Sequence, residues 1–336
     1  MGVKVLFIGG TGIISSACSA LAVEQGMELC LLNRGNTVSR PVPEGATVLR
    51  GDIRDAASAR SALPGHRFDA VVNWIAFTPT QIEADLELFR GRTGQYVFIS
   101  SASAYQKPPA SLPVTESTVL ANPCWEYSRN KIACEERLVR AYREEGFPTT
   151  IVRPSHTYDK TLLPMHGGYT VIDRMRRGKP AVVHGDGTSL WTMTHHRDFA
   201  KGFNGLLGNH RAIGEAFHIT SDEALTWDQI HRIFADAAGA PPPTLVHVPS
   251  DTIAAYDTRW GDSLLGDKTH SMVFDNSKIK RFVPGFAATI PLSWGAKEVM
   301  AWYDADPARQ VVDQNMDALM DRLVEAQKRA LPSSAG

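Results

Sequence analysis

The sequence of 336 residues predicts an α/β fold, a doubly wound parallel sheet with a smaller C-terminal substrate-binding lobe. Short apolar runs rich in Val, Ile, Leu and Phe alternate with amphipathic stretches through the first half, which means strands buried on both faces by helices. A glycine-rich loop follows the first run and opens the first helix. After about Pro154 the rhythm changes to Pro- and Gly-rich connections that carry five of the seven Trp residues.

In chain order, strands are expected at Val3 to Ile8, Glu28 to Leu32, Thr47 to Arg50, Asp69 to Trp74, Tyr96 to Ser100 and Thr149 to Val152. Helices are expected at Ser15 to Gln25, Ala56 to Leu63, Thr80 to Arg90 and Trp125 to Glu145. Two later pieces are expected to return to the first lobe, the helix Arg197 to Leu207 and the apolar run Ala216 to Thr220. The boundaries are therefore 1–157 with 193–220 for the sheet lobe, and 158–192 with 221–336 for the second. Val311, Val312, Met316, Leu319, Met320 and Leu323 recur at helical spacing within Pro307 to Leu331. That tail reads first as a helix packed on the body and second as a homodimer contact.

Composition bounds the function. With 43% hydrophobic and 21% charged residues the chain is globular, and disorder or collagen-like repetition is excluded as a description of the whole. Lys plus Arg number 35 against 36 Asp plus Glu, a net charge of -1 with no basic stripe, so no nucleic-acid partner is expected. Cys18, Cys30, Cys124 and Cys134 are scattered without zinc-ligand spacing, which predicts a reduced intracellular protein with no bound metal. No apolar run approaches the roughly 20 residues that a bilayer needs, and Val3 to Ile8 is too short for a signal peptide. A cytoplasmic protein with a small-molecule substrate and no membrane partner is expected.

The loop Gly9-Gly10-Thr11-Gly12-Ile13-Ile14-Ser15 carries the first chemical signal. Glycine at 9 permits a tight turn, glycine at 12 lets backbone approach a diphosphate, and the helix N-terminus offers free N–H groups. Ser15 stands where a third glycine is usual, and its small side chain still allows close packing. The second strand ends in Asn33-Arg34-Gly35 where an acidic residue would bind the adenosine ribose. Arg34 can pair with a ribose 2'-phosphate, which places NADP ahead of NAD; stacking on adenine or plain solvation are its other readings. Asp52, before Ile53, either accepts from the adenine amino group or caps a helix.

Tyr127 and Lys131 lie one helical turn apart and share a face. An ammonium beside a phenol favours phenolate, so the spacing predicts a Tyr127 pKa drawn below about 10 and a useful acid or base. Hydroxyls upstream, in Ser100-Ser101-Ala102-Ser103, stand at a strand's C-terminal end, the edge at which open parallel sheets bind ligands.

On these residues the chain resembles the extended short-chain dehydrogenase/reductases, the NAD-dependent epimerase/dehydratase family. The resemblance runs through the glycine loop, Asp52-Ile53, Phe98-Ile99-Ser100-Ser101, Tyr127 to Lys131, Val152-Arg153-Pro154, Gly185-Asp186-Gly187 and Phe274 to Lys278. It implies a Rossmann sheet in which Ser101 orients the substrate oxygen and Tyr127 moves its proton. Lys131 would bind the nicotinamide ribose, and Asn73 and Ala76 would line the cofactor unless they only pack a strand end. The family's sugar dehydratases place an Asp-Glu pair after the catalytic Ser or Thr; here Ala102-Ser103 stands there, which disfavours dehydration. Ser103 and His156 are expected at the substrate, His156 where relatives have Asn, or as a structural group. Trp191 replaces an Arg that usually grips a nucleotide diphosphate, and His195, His196 or Arg197 is the expected compensation, with Arg197 counted among the substrate contacts. A lid is expected over Trp260 to Lys268.

The implied activity is hydride transfer at a secondary alcohol or carbonyl of a sugar-like substrate, with NAD(P) as cofactor. A reductase or dehydrogenase would exchange its cofactor, whereas a nucleotide-sugar epimerase would retain NAD. The rivals are a cofactor-sensing member and an RNA-associated one, since some chloroplast stem-loop-binding proteins of the superfamily resemble the chain at Asn33-Arg34-Gly35.

Overall fold

The first strand shows why the sheet is parallel and covered on both faces. Val5 and Phe7 point into one hydrophobic core and Leu6 and Ile8 into another, all fully buried. The computed structural model describes residues 2–35 and 40–330.

Seven strands make the central sheet: β1 (Lys4–Ile8), β2 (Glu28–Asn33), β3 (Thr47–Arg50), β4 (Ala70–Asn73), β5 (Tyr96–Ile99), β6 (Thr149–Pro154) and a late strand at Ala216–Ile219. From one edge they run β3, β2, β1, β4, β5, β6 and the late strand, every neighbouring pair parallel. The order reverses between β1 and β4, which opens a crevice at their C-terminal ends.

Helices α1 (Ser15–Glu24), α2 (Ala56–Ala62), α3 (Pro79–Phe89) and α4 (Glu126–Glu145) fill the crossovers. Asp55 caps α2 by accepting from the N–H groups of Ala57 and Ser58. Pro79 opens α3, and left-handed Gly146 ends α4. The catalytic-helix candidate α4 is pinned to β6 inside the protein, where Arg153 Nη2 meets Glu135 Oε2 at 2.6 Å and Arg153 Nε meets Oε1 at 3.0 Å.

The second lobe holds β7 (His156–Tyr158), α5 (Tyr169–Arg176), β8 (Ala181–His184), β9 (Leu190–Trp191) and β10 (Met193–His195). The chain then returns through α6 (His196–Asn204) and the late sheet strand, β11. It goes out again through β12 (Leu225–Thr226), α7 (Trp227–Ala237), β13 (Leu245–Val248), α8 (Ser250–Tyr256) and α9 (Thr258–Ser263). After α10 (Ser277–Phe282) come α11 (Leu292–Asp304) and α12 (Gln314–Ala330). Its own core gathers Trp191, Trp227 and Trp260 with residues of α5, α7, α11 and α12.

One detail departs from the sequence reading, and the tail helix packs on the body as expected though it starts at Gln314. Ile279 and Phe286 pack into the core of the sheet lobe, so a stretch expected in the second lobe returns to the first. The tail helix is α12, bound to the body by Leu319, Met320, Leu323 and Val324 and by Arg174, whose Nη1 lies 2.6 Å from Asp317 Oδ1. Leu331, the last residue of that expected helix, lies outside the described residues. No described helix is long and apolar enough to cross a membrane.

Candidate active site

The crevice between β1 and β4 is a cavity of about 520 Å³. Gly9 and Gly10 bend its floor with φ of 100° and 103°, and a Cβ at Gly10 would lie 2.7 Å from Leu31. The loop delivers the chain to α1, whose first turn holds no acidic residue and no side-chain cap. The loop and the start of α1 line the cavity, so the positive helix end lies beside it, an arrangement that fits a diphosphate, while the Gly12 N–H donates to Ser15 Oγ at 2.8 Å. Two buried polar atoms in residues of the cavity wall, Trp74 Nε1 and Ser100 Oγ, have no partner among the described residues. The residues present thus fit a dinucleotide.

Asn33, Arg34, Asp52 and Ile53, which follow β2 and β3, line one end of this cavity, and Gly9, Thr11, Gly12, Ile13 and Ile14, which follow β1, line its middle. Asn33 Oδ1 accepts from the Gly35 N–H at 3.0 Å and so shapes the turn that carries Arg34. Asp52 Oδ1 accepts from the Arg54 N–H at 2.9 Å, a turn contact, while Asp55 is the helix cap. Arg40 and Arg54 line the same end. Arg40 is tied across the lobes, its Nε 2.7 Å from Asp159 Oδ2; among the described residues Arg34 and Arg54 make no ion pair.

Beyond the cavity's inner end lies a second one of about 250 Å³, lined by Ser101, Ser103, Trp125, His156, Trp191, Asp267 and Lys268. Tyr127 and Pro154 line both. Ser101 Oγ is 2.9 Å from Ser103 Oγ, which accepts from Ser128 Oγ at 2.8 Å, so α4 fixes the hydroxyl row beside its own tyrosine.

The electrostatics differ from the expectation that Lys131 lowers the Tyr127 pKa. Burial holds the Tyr127 phenol above its ordinary value; Ser101 opposes that shift and the Asp267 carboxylate adds to it. Lys131 Nζ instead donates to the carbonyls of Ala76 and Ile99, each at 2.7 Å, and lies 5.9 Å from the Tyr127 ring centroid. Burial brings Lys131 down to about 8. His156 is held to about 3 by burial and by the Lys268 ammonium, so at neutral pH it is a neutral donor or acceptor rather than a proton shuttle.

Three expected contacts fall elsewhere. Asn73 turns away from the cavity: its Nδ2 donates to buried Asp85, which also accepts from Tyr96 Oη, and its Oδ1 accepts from the Ile75 N–H at 2.8 Å. Ala76 meets Lys131 through its carbonyl only and lines neither cavity. Arg197 lies outside both, 2.8 Å from Glu298 Oε1 and 5.1 Å from the Trp294 centroid, because α11 carries an acid and an aromatic that claim it. His195 joins the same Glu298 at 2.9 Å, while His196 Nδ1 donates to the Ile13 carbonyl at 3.1 Å and braces the glycine loop.

The expected lid is a packed wall. Trp260, in α9, is buried and stacks on His166 with centroids 4.4 Å apart; the following Leu264–Lys268 turn is π-helical. Asn122 Nδ2 donates to the Gly266 carbonyl at 2.6 Å and the Ser103 carbonyl at 2.9 Å, which locks that turn to the active-site loop. Sequence reasoning missed Trp125, although it stands two residues before Tyr127. It also missed Arg40 and Arg54, which extend the Arg34 signal, and it named Lys268 only as part of a lid. Among the described residues no group of three or more His, Cys, Asp or Glu side chains is arranged to hold a metal ion.

Residues 5–220 match the model of the NAD dependent epimerase/dehydratase family. The chain is 27% identical over 261 residues to the chloroplast stem-loop binding protein of 41 kDa b from Arabidopsis thaliana, covering 73% of this chain and 65% of the plant protein. It is 25% identical over 287 residues to the 2'-dehydrokanamycin reductase of Streptomyces kanamyceticus, covering 84% of this chain and 80% of that one. Among solved structures, an epimerase from Methanothermobacter thermautotrophicus superposes with a TM-score of 0.73 at 17% identity, covering 92% of this chain and 94% of the other. The UDP-glucose 4-epimerase of Bifidobacterium longum, in complex with NAD+ and UDP, gives 0.71 at 18% identity, covering 90% and 99%.

Proposed function

Because the chain belongs to the NAD-dependent epimerase/dehydratase family, we propose that it is a hydride-transfer enzyme acting on a secondary alcohol or carbonyl of a sugar-like substrate. One observation carries this reading: Tyr127 lines both the cavity that fits a dinucleotide and the smaller cavity behind it. A proton donor at that junction reaches an oxygen whose carbon faces the nicotinamide end. The similarity to a 2'-dehydrokanamycin reductase supports the same class of reaction.

The first cavity is read as an NADP(H) site, with NAD(H) as second choice. Arg34, Arg40 and Arg54 surround its adenosine end, where Asp52 is the single lining carboxylate among the described residues, and guanidinium forks suit a 2'-phosphate. When bound, the dinucleotide supplies hydride exchange at its nicotinamide ring. The chain's own residues do the rest. Lys131 stands at the ribose end, Ser101 donates to the substrate oxygen and Tyr127 gives that oxygen its proton. A phenol whose pKa burial has raised is protonated at neutral pH, which is the form a carbonyl reduction consumes. Elimination of water has no carboxylate pair after Ser101, since Ala102 and Ser103 stand there. A reductase that exchanges its cofactor is thus favoured over an epimerase or a dehydratase, and we place it in the cytoplasm as a working assignment.

The deciding experiment compares the protein as purified with and without borohydride near the reduced nicotinamide band, then follows NADPH consumption on a panel of sugar-derived carbonyls. Little bound cofactor and turnover with NADPH support an exchanging reductase. A stoichiometric bound nicotinamide points to an epimerase, and cofactor binding without turnover on any carbonyl sinks the catalytic reading.

A further inference from the structure

The cavity behind Tyr127 contains hydrogen-bond donors that lack acceptors. Lys268 enters it from the end of the π-helical turn, with Nζ 5.5 Å from the Trp125 ring centroid. Its nearest carboxylate oxygen, Asp267 Oδ2, lies 3.8 Å away, beyond hydrogen-bonding distance, and its side chain is only 18% exposed. Asp267 is committed elsewhere. Its Oδ1 lies 3.3 Å from Nζ of Lys107, a side chain 2% exposed that also donates to the Ala102 carbonyl. Trp191, 3% exposed, brings an indole Nε1 that has no partner. His156 is neutral, so it adds no charge to the wall.

The Lys268 ammonium has no hydrogen-bonded acceptor among the described residues, and a ligand that brings an anion supplies one. Among the described residues Asp267 is the single carboxylate on the cavity wall, and Lys107 already claims it. The cavity's volume of about 250 Å³ also falls below the roughly 300–1,000 Å³ of sites that hold drug-sized ligands. Trp125 and Phe274 supply aromatic surface for the ligand's carbon skeleton.

We propose that this cavity selects a small polyhydroxylated carbonyl substrate, and the polyol formed from it, bearing a carboxylate or a phosphate, with Lys268 as its anion anchor and specificity determinant. The proposal names the substrate class for the reductase reading and rests on it for the direction in which the substrate lies, its carbonyl toward Tyr127 and its anion toward Lys268.

The test titrates the NADP+-saturated protein with gluconate, glucitol 6-phosphate and glucitol, read through the fluorescence of the tryptophans that line the cavity. At least one of the two anions is expected to bind about tenfold more tightly than glucitol. Which anion wins separates a carboxylate pocket from a phosphate pocket. Lys268→Met is expected to erase the advantage and Lys268→Arg to keep most of it. Unchanged NADPH affinity in both variants shows that the fold is intact, and Lys268→Gln replaces Lys268→Met if that control fails. Equal binding of all three probes, binding of none, or an advantage that survives Lys268→Met overturns the proposal. Anion preference without NADPH turnover on any carbonyl removes the reductase reading alone. Turnover of neutral ketoses with no anion preference removes the anchor alone.

Discussion

At Tyr127 and Lys131 the distance between sequence and structure can be measured in single contacts. The spacing placed both side chains on one face of α4, and the structure puts both on the wall of one cavity. It did not reveal that Lys131 would spend its donors on the Ala76 and Ile99 carbonyls, because those acceptors come from the ends of other elements. Asn73 went astray for the same reason: buried Asp85, on α3, was a stronger claim on its amide than any cofactor. Tyr127→Phe removes the proton donor and leaves the ring's packing. Turnover is expected to fall by about 100-fold to 10,000-fold while NADPH binding changes little; near-normal turnover would reassign the donor. Arg34→Ala tests the other end of the cleft. Loss of a charge-assisted pair to the 2'-phosphate is expected to weaken NADPH by about tenfold and leave NADH within about twofold, measured by quenching of protein fluorescence. Equal losses for both cofactors would make Arg34 an adenine contact instead.

Among the elements, the strands of the first lobe were legible almost to the residue because each is a short apolar run bounded by a turn. The walls of the substrate cavity were not, since they come from places far apart in the chain. Trp125 precedes α4, Trp191 lies in β9, and Lys268 ends a π-helical turn that no apolar period announces. Gly266 is where two of these walls meet. A Cβ there would stand 2.6 Å from the Trp125 Cβ and 3.1 Å from Asn122 Oδ1, backed by the main chain, so Gly266→Ala must push the π-helical turn off the active-site loop. The dinucleotide cleft does not touch Gly266. Substrate KM is therefore expected to rise by about tenfold or more with NADPH affinity nearly unchanged; a loss confined to cofactor binding would contradict this partition of the two cavities.

The molecule as a whole carries its pH response in groups buried in different parts of it. His156 beside the substrate cavity, His184 in β8 and His196 against the glycine loop are held neutral by burial, at about 3, 4 and 4 against 6.5 for the free side chain. Between those values the unfolded chain binds protons that the folded one refuses, so stability falls as pH drops below 6.5 and keeps falling toward about 4. Asp85 acts in the opposite sense. Burial lifts it from 3.8 to about 6 despite the hydrogen bonds from Tyr96 and Asn73, so the folded state takes up its proton first and gains stability as pH falls through that window. These three refused protons alone outweigh the one accepted, and His166, held to about 4 by burial, refuses another; each proton of difference changes the stability by about 1.4 kcal/mol per pH unit. Urea midpoints measured at about pH 7.5, 6, 5 and 4 are expected to decline throughout the acid arm. Asp85→Asn removes the opposing group and should steepen that decline between about pH 6 and 4, whatever it does to stability at pH 7.5. A wild-type midpoint that is flat or rising between pH 6.5 and 4, or a slope that Asp85→Asn leaves unchanged, would show that these side chains exchange protons with water in the folded state far more freely than their burial allows.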